Sequence, residues 1–172
     1  MPGTRIRRST PLKKPVPLAV TSPAFQDGER IPDRYAKHGT NLSPTLHWSQ
    51  LPVDTASIVL ICEDPDAPQP DPFTHWVLFN IPPTLEGLPE GITRVPQPPQ
   101  VSGAGQGVND FDDVGYDGPS PPSGHGLHRY RFQIHALDTM LSLPPGVSKL
   151  AVRQAMDGHI LGKGVLSGTY SR

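Results

Sequence analysis

Cysteine is almost missing from this 172-residue chain. Cys62 stands alone, which excludes an internal disulfide and any cysteine-based zinc cluster. Aromatic residues are sparse at 6%. No basic stripe surrounds Trp48, Trp76, Phe79 or Phe132, so these rings read as core and not as a base-stacking platform for nucleic acid. Net charge is lacking too, at −1, and with it any global positive field that would draw in nucleic acid or an anionic membrane. No apolar run approaches the roughly 18 residues of a membrane span, and none near the N-terminus resembles a secretory signal. The expectation is a soluble cytoplasmic protein without nucleic-acid contact or membrane insertion, and without a cofactor or metal.

Proline and glycine are abundant, at 23 and 17 residues. Both are costly inside helices and are accommodated in turns and at strand ends. The composition therefore implies mainly β structure with long loops and excludes a helical bundle. A chain of this length encloses one core without staples. Residues 1–17 differ from the remainder: they hold Arg5, Arg7, Arg8, Lys13 and Lys14 with no acid, and also Pro2, Pro11, Pro15 and Pro17. They read as a flexible basic tail ahead of a single domain over 18–172.

Along the domain, Leu18–Ser22 suggests an early strand, and Gln26–Glu29 a turn that would fold it into a hairpin. Ala56–Cys62 is an almost continuous β-branched and apolar run between Pro52 and Pro65, the pattern of a strand buried on both faces. Thr74–Ile81 is a second strand, ended by Pro82 and Pro83. From Pro82 to Leu127 no apolar period is visible, and a stretch that long shapes a binding site when it is not disordered. His128–Leu137 alternates, with His128, Tyr130, Phe132 and Ile134 on one face and Arg129, Arg131, Gln133 and His135 on the other. Ser148 is placed to cap a short helix through about Met156, with Leu150, Ala151, Ala155 and Met156 as its stripe and Gly158 as its stop. Gly164–Tyr170 reads as the last strand.

Two segments carry groups with chemistry. The first, Asp64–His75, joins two strands that should pair antiparallel, which brings the Asp64 carboxylate and the His75 imidazole to one rim of the sheet. An Asp beside a His selects one tautomer and favours the imidazolium, a donor suited to anions. Asp64 and Asp66 would equally serve simple Asx turns in a proline-rich loop. The second segment, Gly115–Tyr130, combines a proline-stiffened loop with His128 and Tyr130 leaving on one strand face, half of a pocket or merely a rigid connector. His125 and His128 are three apart but lack the surroundings of a zinc site. No G-x-S-x-G elbow supports Ser120 or Ser123 as an activated nucleophile.

Taken together, Asp64-Pro-Asp-Ala-Pro68, His75-Trp-Val-Leu-Phe-Asn80, Gly115-Tyr-Asp-Gly-Pro119, Pro121-Pro122 and His128-Arg-Tyr130 resemble the two signature regions of the phosphatidylethanolamine-binding protein family, in its Raf-kinase-inhibitor-like bacterial and archaeal branch. The resemblance extends over about 18–172. It implies a large antiparallel sheet packed on a smaller sheet, with short peripheral helices. It also implies a rim pocket for phosphate or a phosphorylated head group, lined by Asp64, His75, Ser120, Pro122, His128 and Tyr130, with Asp66 and Tyr116 in support. Two imidazoles and a phenol would offer donors to phosphate oxygens. Relatives frequently have Cys where Ser120 stands and a small residue where Asp117 stands, changes that would alter pocket width or charge. The helix that covers the pocket in mammalian relatives has no counterpart after Tyr170. The function implied is a binding module for small anionic ligands that inhibits or regulates a kinase or protease. Acid–base catalysis by Asp64, His75, His128 and Tyr130 is the alternative, and a protein-interaction role for loop 83–127 is a third reading. A homodimer stays open.

Overall fold

A computed structural model describes residues 14–172, so most of the basic tail lies outside the described residues. Strands β1 (Val16–Pro17), β4 (Ser57–Asp64), β5 (Phe73–Ile81), β7 (Gly105–Gln106), β8 (His128–Leu137) and β9 (Ile160–Tyr170) form one sheet in the order β1-β9-β8-β4-β5-β7. Strands β2 (Ala19–Thr21), β3 (Leu46–Ser49) and β6 (Gly87–Leu88) form the second. The helix α1 (Lys149–Met156) and a 3-10 turn at Asp33–Tyr35 lie outside the sheets. Every pair in the large sheet is antiparallel except β1 with β9.

Period-2 alternation in the central strands divides the interior into two cores. Ile58, Leu60 and Cys62 of β4, Trp76 and Leu78 of β5, and Tyr130, Phe132 and Ile134 of β8 enter the larger core, which Val20, Leu46, Trp48 and Leu88 of the small sheet complete. Val59, Ile61, Val77 and Phe79 point the other way, against Val152 and Met156 of α1. This is why β4 reads as continuously apolar: all eight of its residues are buried. Each fully buried Leu or Ile adds about 1.5–3 kcal/mol of transfer free energy, which makes this strand the spine of the sheet.

The second half of the polar face of β8, Gln133 and His135, is buried as well. Gln133 donates to Glu63 at 2.9 Å, and Lys149 and Arg153 of α1 reach the same carboxylate at 2.8 and 3.1 Å. Burial pushes the Glu63 carboxyl up, but these donors outweigh it and hold the group below its usual range. The helix is capped as expected, with Ser148 Oγ accepting from Ala151 N–H. Its buried stripe is Val152 and Met156, one turn apart, whereas Leu150 is exposed.

Two expectations are corrected. The turn at Gln26–Glu29 forms, yet β2 makes no hairpin with the segment after it; it pairs instead with β3, Val20 opposite Trp48. A hairpin would leave Val20 without the small-sheet core to enter. Val16 and Pro17, read as the end of the tail, are a parallel edge strand against Gly162 and Lys163. Pro17 suits that edge because it has no ladder N–H to satisfy.

Candidate functional site

The β4–β5 corner, the start of β8 and the long loop before it meet at one rim of the large sheet. Asp64 lies opposite Phe73 in the register, and His75 follows on the same face of β5 as Phe73. A cavity of about 210 Å³ opens there. Asp64, His75, Ser120, Pro122, His128 and Tyr130, assembled from four separate stretches of sequence, all line it. Phe73 and Phe111 complete an apolar wall, their rings 5.2 and 5.6 Å from that of His75. The volume suits a phosphate-sized group or a head group and falls below the range of drug-sized ligands.

The expected Asp64–His75 contact is replaced by another. Asp64 Oδ2 accepts from His128 Nδ1–H at 2.6 Å, while Oδ1 accepts the N–H of Asp66 at 2.7 Å. The Asx turn and the carboxylate–imidazole pair thus coexist in one side chain. His75 Nδ1–H donates to the carbonyl of Asp117 at 2.7 Å. That bond fixes the tautomer and leaves Nε2 as the nitrogen available to the cavity. Burial lowers the His75 pKa, partly opposed by the Asp117 carbonyl and the Asp64 charge. Burial and the neighbouring Asp64 push the Tyr130 phenol up, so it stays a neutral donor.

His128 is occupied at both nitrogens. Beyond Asp64, its Nε2 shares a 2.6 Å hydrogen bond with His125 Nδ1. Gly124 and Gly126, at φ 75° and 89°, give the backbone the left-handed turns that fold His125 back onto the strand. The spacing of His125 and His128 was visible in the sequence, but only as a weak metal pattern; here the rings bond to each other.

The supporting residues differ in kind. Asp66 accepts from the backbone N–H, Nε and a terminal nitrogen of Arg129 at 2.9, 2.9 and 3.0 Å, which ties the 65–72 loop to β8. Tyr116 is buried in the larger core, donating to the Tyr35 carbonyl at 2.8 Å and edge-on to Trp76. It does not line the cavity.

Asp117 does not alter pocket width or charge directly, since its carboxylate points away from the cavity and is fully buried. Lys37, Asn41 and Arg94 donate to Oδ1 at 3.1, 2.9 and 2.8 Å, and Asn109 to Oδ2 at 2.9 Å. Burial would raise this carboxyl, but hydrogen bonds from Asn41, Asn109 and Lys37 overcome it and bring the pKa down to about 2. The knot holds the carbonyl that orients His75. Phe73 was legible as an i, i+2 neighbour of His75; Phe111 and the partners of Asp117 come from distant loops and carry no local signal.

The sequence profile of the phosphatidylethanolamine-binding protein family matches residues 21–171. The chain belongs to this family. Within the phosphatidylethanolamine-binding proteins it is similar to a UPF0098 protein of Methanothermobacter thermautotrophicus, 50% identical over 149 residues, 87% of this chain and 95% of that one. Among solved structures it resembles the phosphatidylethanolamine-binding protein homolog CT736 from Chlamydia trachomatis, at 40% identity and a TM-score of 0.80 over 90% of this chain and 97% of that one. It also resembles Escherichia coli YbcL, described as a member of the mammalian family, at 31% identity and a TM-score of 0.85 over 90% and 98%. The large and small sheets are thus the family fold. No helix among the described residues is long and apolar enough to cross a membrane.

Proposed function

We propose that this family member is a binding module for small phosphorylated or other anionic ligands, and that the loaded or empty rim regulates a kinase or protease in the cytoplasm. The observation that carries the reading is the convergence of Asp64, His75, Ser120, Pro122, His128 and Tyr130 on one small cavity. Its size excludes a whole lipid, and its apolar wall of Phe73 and Phe111 would strengthen the few polar contacts inside it. The test is an NMR titration with phosphate, phosphoethanolamine and a mononucleotide. Joint movement of the His75 and His128 resonances, lost in His75→Ala, is the expected result; no movement at millimolar ligand would leave the family fold without this site.

One observation favours a second reading. Asp64, His128 and His125 form a hydrogen-bonded relay from a buried carboxylate to the surface, the arrangement that moves a proton in acid–base catalysis. Turnover of a phosphoester or ester panel that disappears in His128→Ala would establish it, and no turnover across the panel would reject it.

A further inference from the structure

The cavity is built from groups that accept hydrogen bonds more readily than they give them. Among its lining residues there is no lysine or arginine, and one carboxylate, Asp64, is present. The loop that closes one side runs Pro119-Ser-Pro-Pro122, so three of its four residues have no N–H to offer. His128 has both nitrogens engaged, by Asp64 and by His125. His75 has given its Nδ1–H to the Asp117 carbonyl, which in the neutral ring makes Nε2 a lone pair facing the cavity. What remains as donors are the Tyr130 hydroxyl, Ser120 and the second N–H of the Gln69 amide, whose first is given to the Asp71 carbonyl at 2.9 Å. A doubly charged anion placed here would meet a lone pair and a carboxylate with no fixed cation to balance it.

Resting on the anion-binding reading, we infer that this cavity binds anions together with one proton, held between His75 Nε2 and the ligand, so that its ligand class is the phosphate monoanion: dihydrogen phosphate or a singly protonated phosphate monoester. The proton comes from solvent and lies on the line from Nε2 to a ligand oxygen, turning the one misplaced acceptor into a charge-assisted donor. The titratable groups around His75 are Asp64 on β4, Asp117 in the loop before β8, and His128 and Tyr130 on β8, whose ring is 5.1 Å from that of His75. Burial already holds the empty His75 in its neutral form, so an arriving anion changes its protonation instead of finding it charged.

Isothermal titration calorimetry on the full chain with inorganic phosphate and with sulfate, in two buffers of different ionisation heat, counts the protons. Sulfate stays doubly charged throughout, so any proton taken up with it must sit on the protein. At about pH 8 the expected uptake is about one proton per anion, and sulfate affinity should rise by up to about tenfold for each unit the pH falls towards 6. In His75→Gln, whose amide can donate but cannot titrate, sulfate should bind with no proton uptake. Binding of both anions with no uptake and no pH dependence leaves the site standing and overturns the inference, as does undiminished uptake in His75→Gln. Absence of any binding between about pH 6 and pH 8 removes the anion reading itself and the inference with it.

Discussion

His125 is the residue whose removal should weaken the site. With its Nδ1–H given to Asp64, the neutral His128 ring has a lone pair at Nε2, which His125 Nδ1–H covers at 2.6 Å, so His125→Ala leaves a second uncovered acceptor beside the cavity. A hydrogen bond of this kind is worth about 1 kcal/mol net, and phosphate should bind roughly fivefold more weakly in the variant by calorimetry. Tighter binding would mean that the freed Nε2 takes up a proton and donates to the ligand. On the opposite face of the sheet, His135 is buried with its Nδ1 lacking any partner. Burial, with Lys163 and Arg153 nearby, lowers its pKa to about 4. In the unfolded chain the ring titrates near 6.5, so below that pH the unfolded state gains a proton that the folded state refuses. The stability His135 permits is complete above about pH 6.5 and is lost as pH falls towards 4, by up to about 3 kcal/mol. Denaturant melts at about pH 5 and about pH 7 should show this drop, and His135→Gln should flatten it.

The loop before β8 is as much a structural element as the strands it joins. Gly118 passes so close to the 3-10 turn that a Cβ there would collide with the Tyr35 carbonyl, and its N–H is held by Asn41 at 2.8 Å. Gly118→Ala should cost about 1–3 kcal/mol, the usual range for an overpacked site, and should shift the His75 resonances because the neighbouring carbonyl moves with it. Asp117→Asn, which leaves the partly exposed Lys37 and Arg94 facing a neutral amide, should cost about 1–2 kcal/mol by chemical denaturation and weaken phosphate binding. The strands around this loop were legible because their signals are local: the unbroken apolar run of β4, the alternation of β8 and the Ser148 cap each sit within one element. The site's lining was legible through motif resemblance. The pairing inside it was not, because strand register brings Asp64 near both His75 and His128, and only tertiary packing hands His75 to the Asp117 carbonyl. The pairing of β2 with β3 across the chain was hidden for the same reason.

Across the whole molecule, β9 is the member on which distant parts wait. It lies between β8 and β1, and Thr169 also donates to and accepts from the segment at Glu29–Ile31. Beyond it, the carbonyl of Arg172 receives the N–H of Gly124, beside His125. During synthesis the early segments 16–18 and 29–31 therefore emerge long before their partner does, and must remain unpaired until β9 arrives. Topologies dominated by such distant pairings fold slowly, in milliseconds to seconds. The rim should be the last part to mature, so that in a refolding experiment phosphate competence appears with the slowest phase and lags the burial of Trp76 fluorescence. A ligand for this rim then acts as a reporter of β9 docking: it can bind once residues 160–172 are in place and has nothing to recognise before.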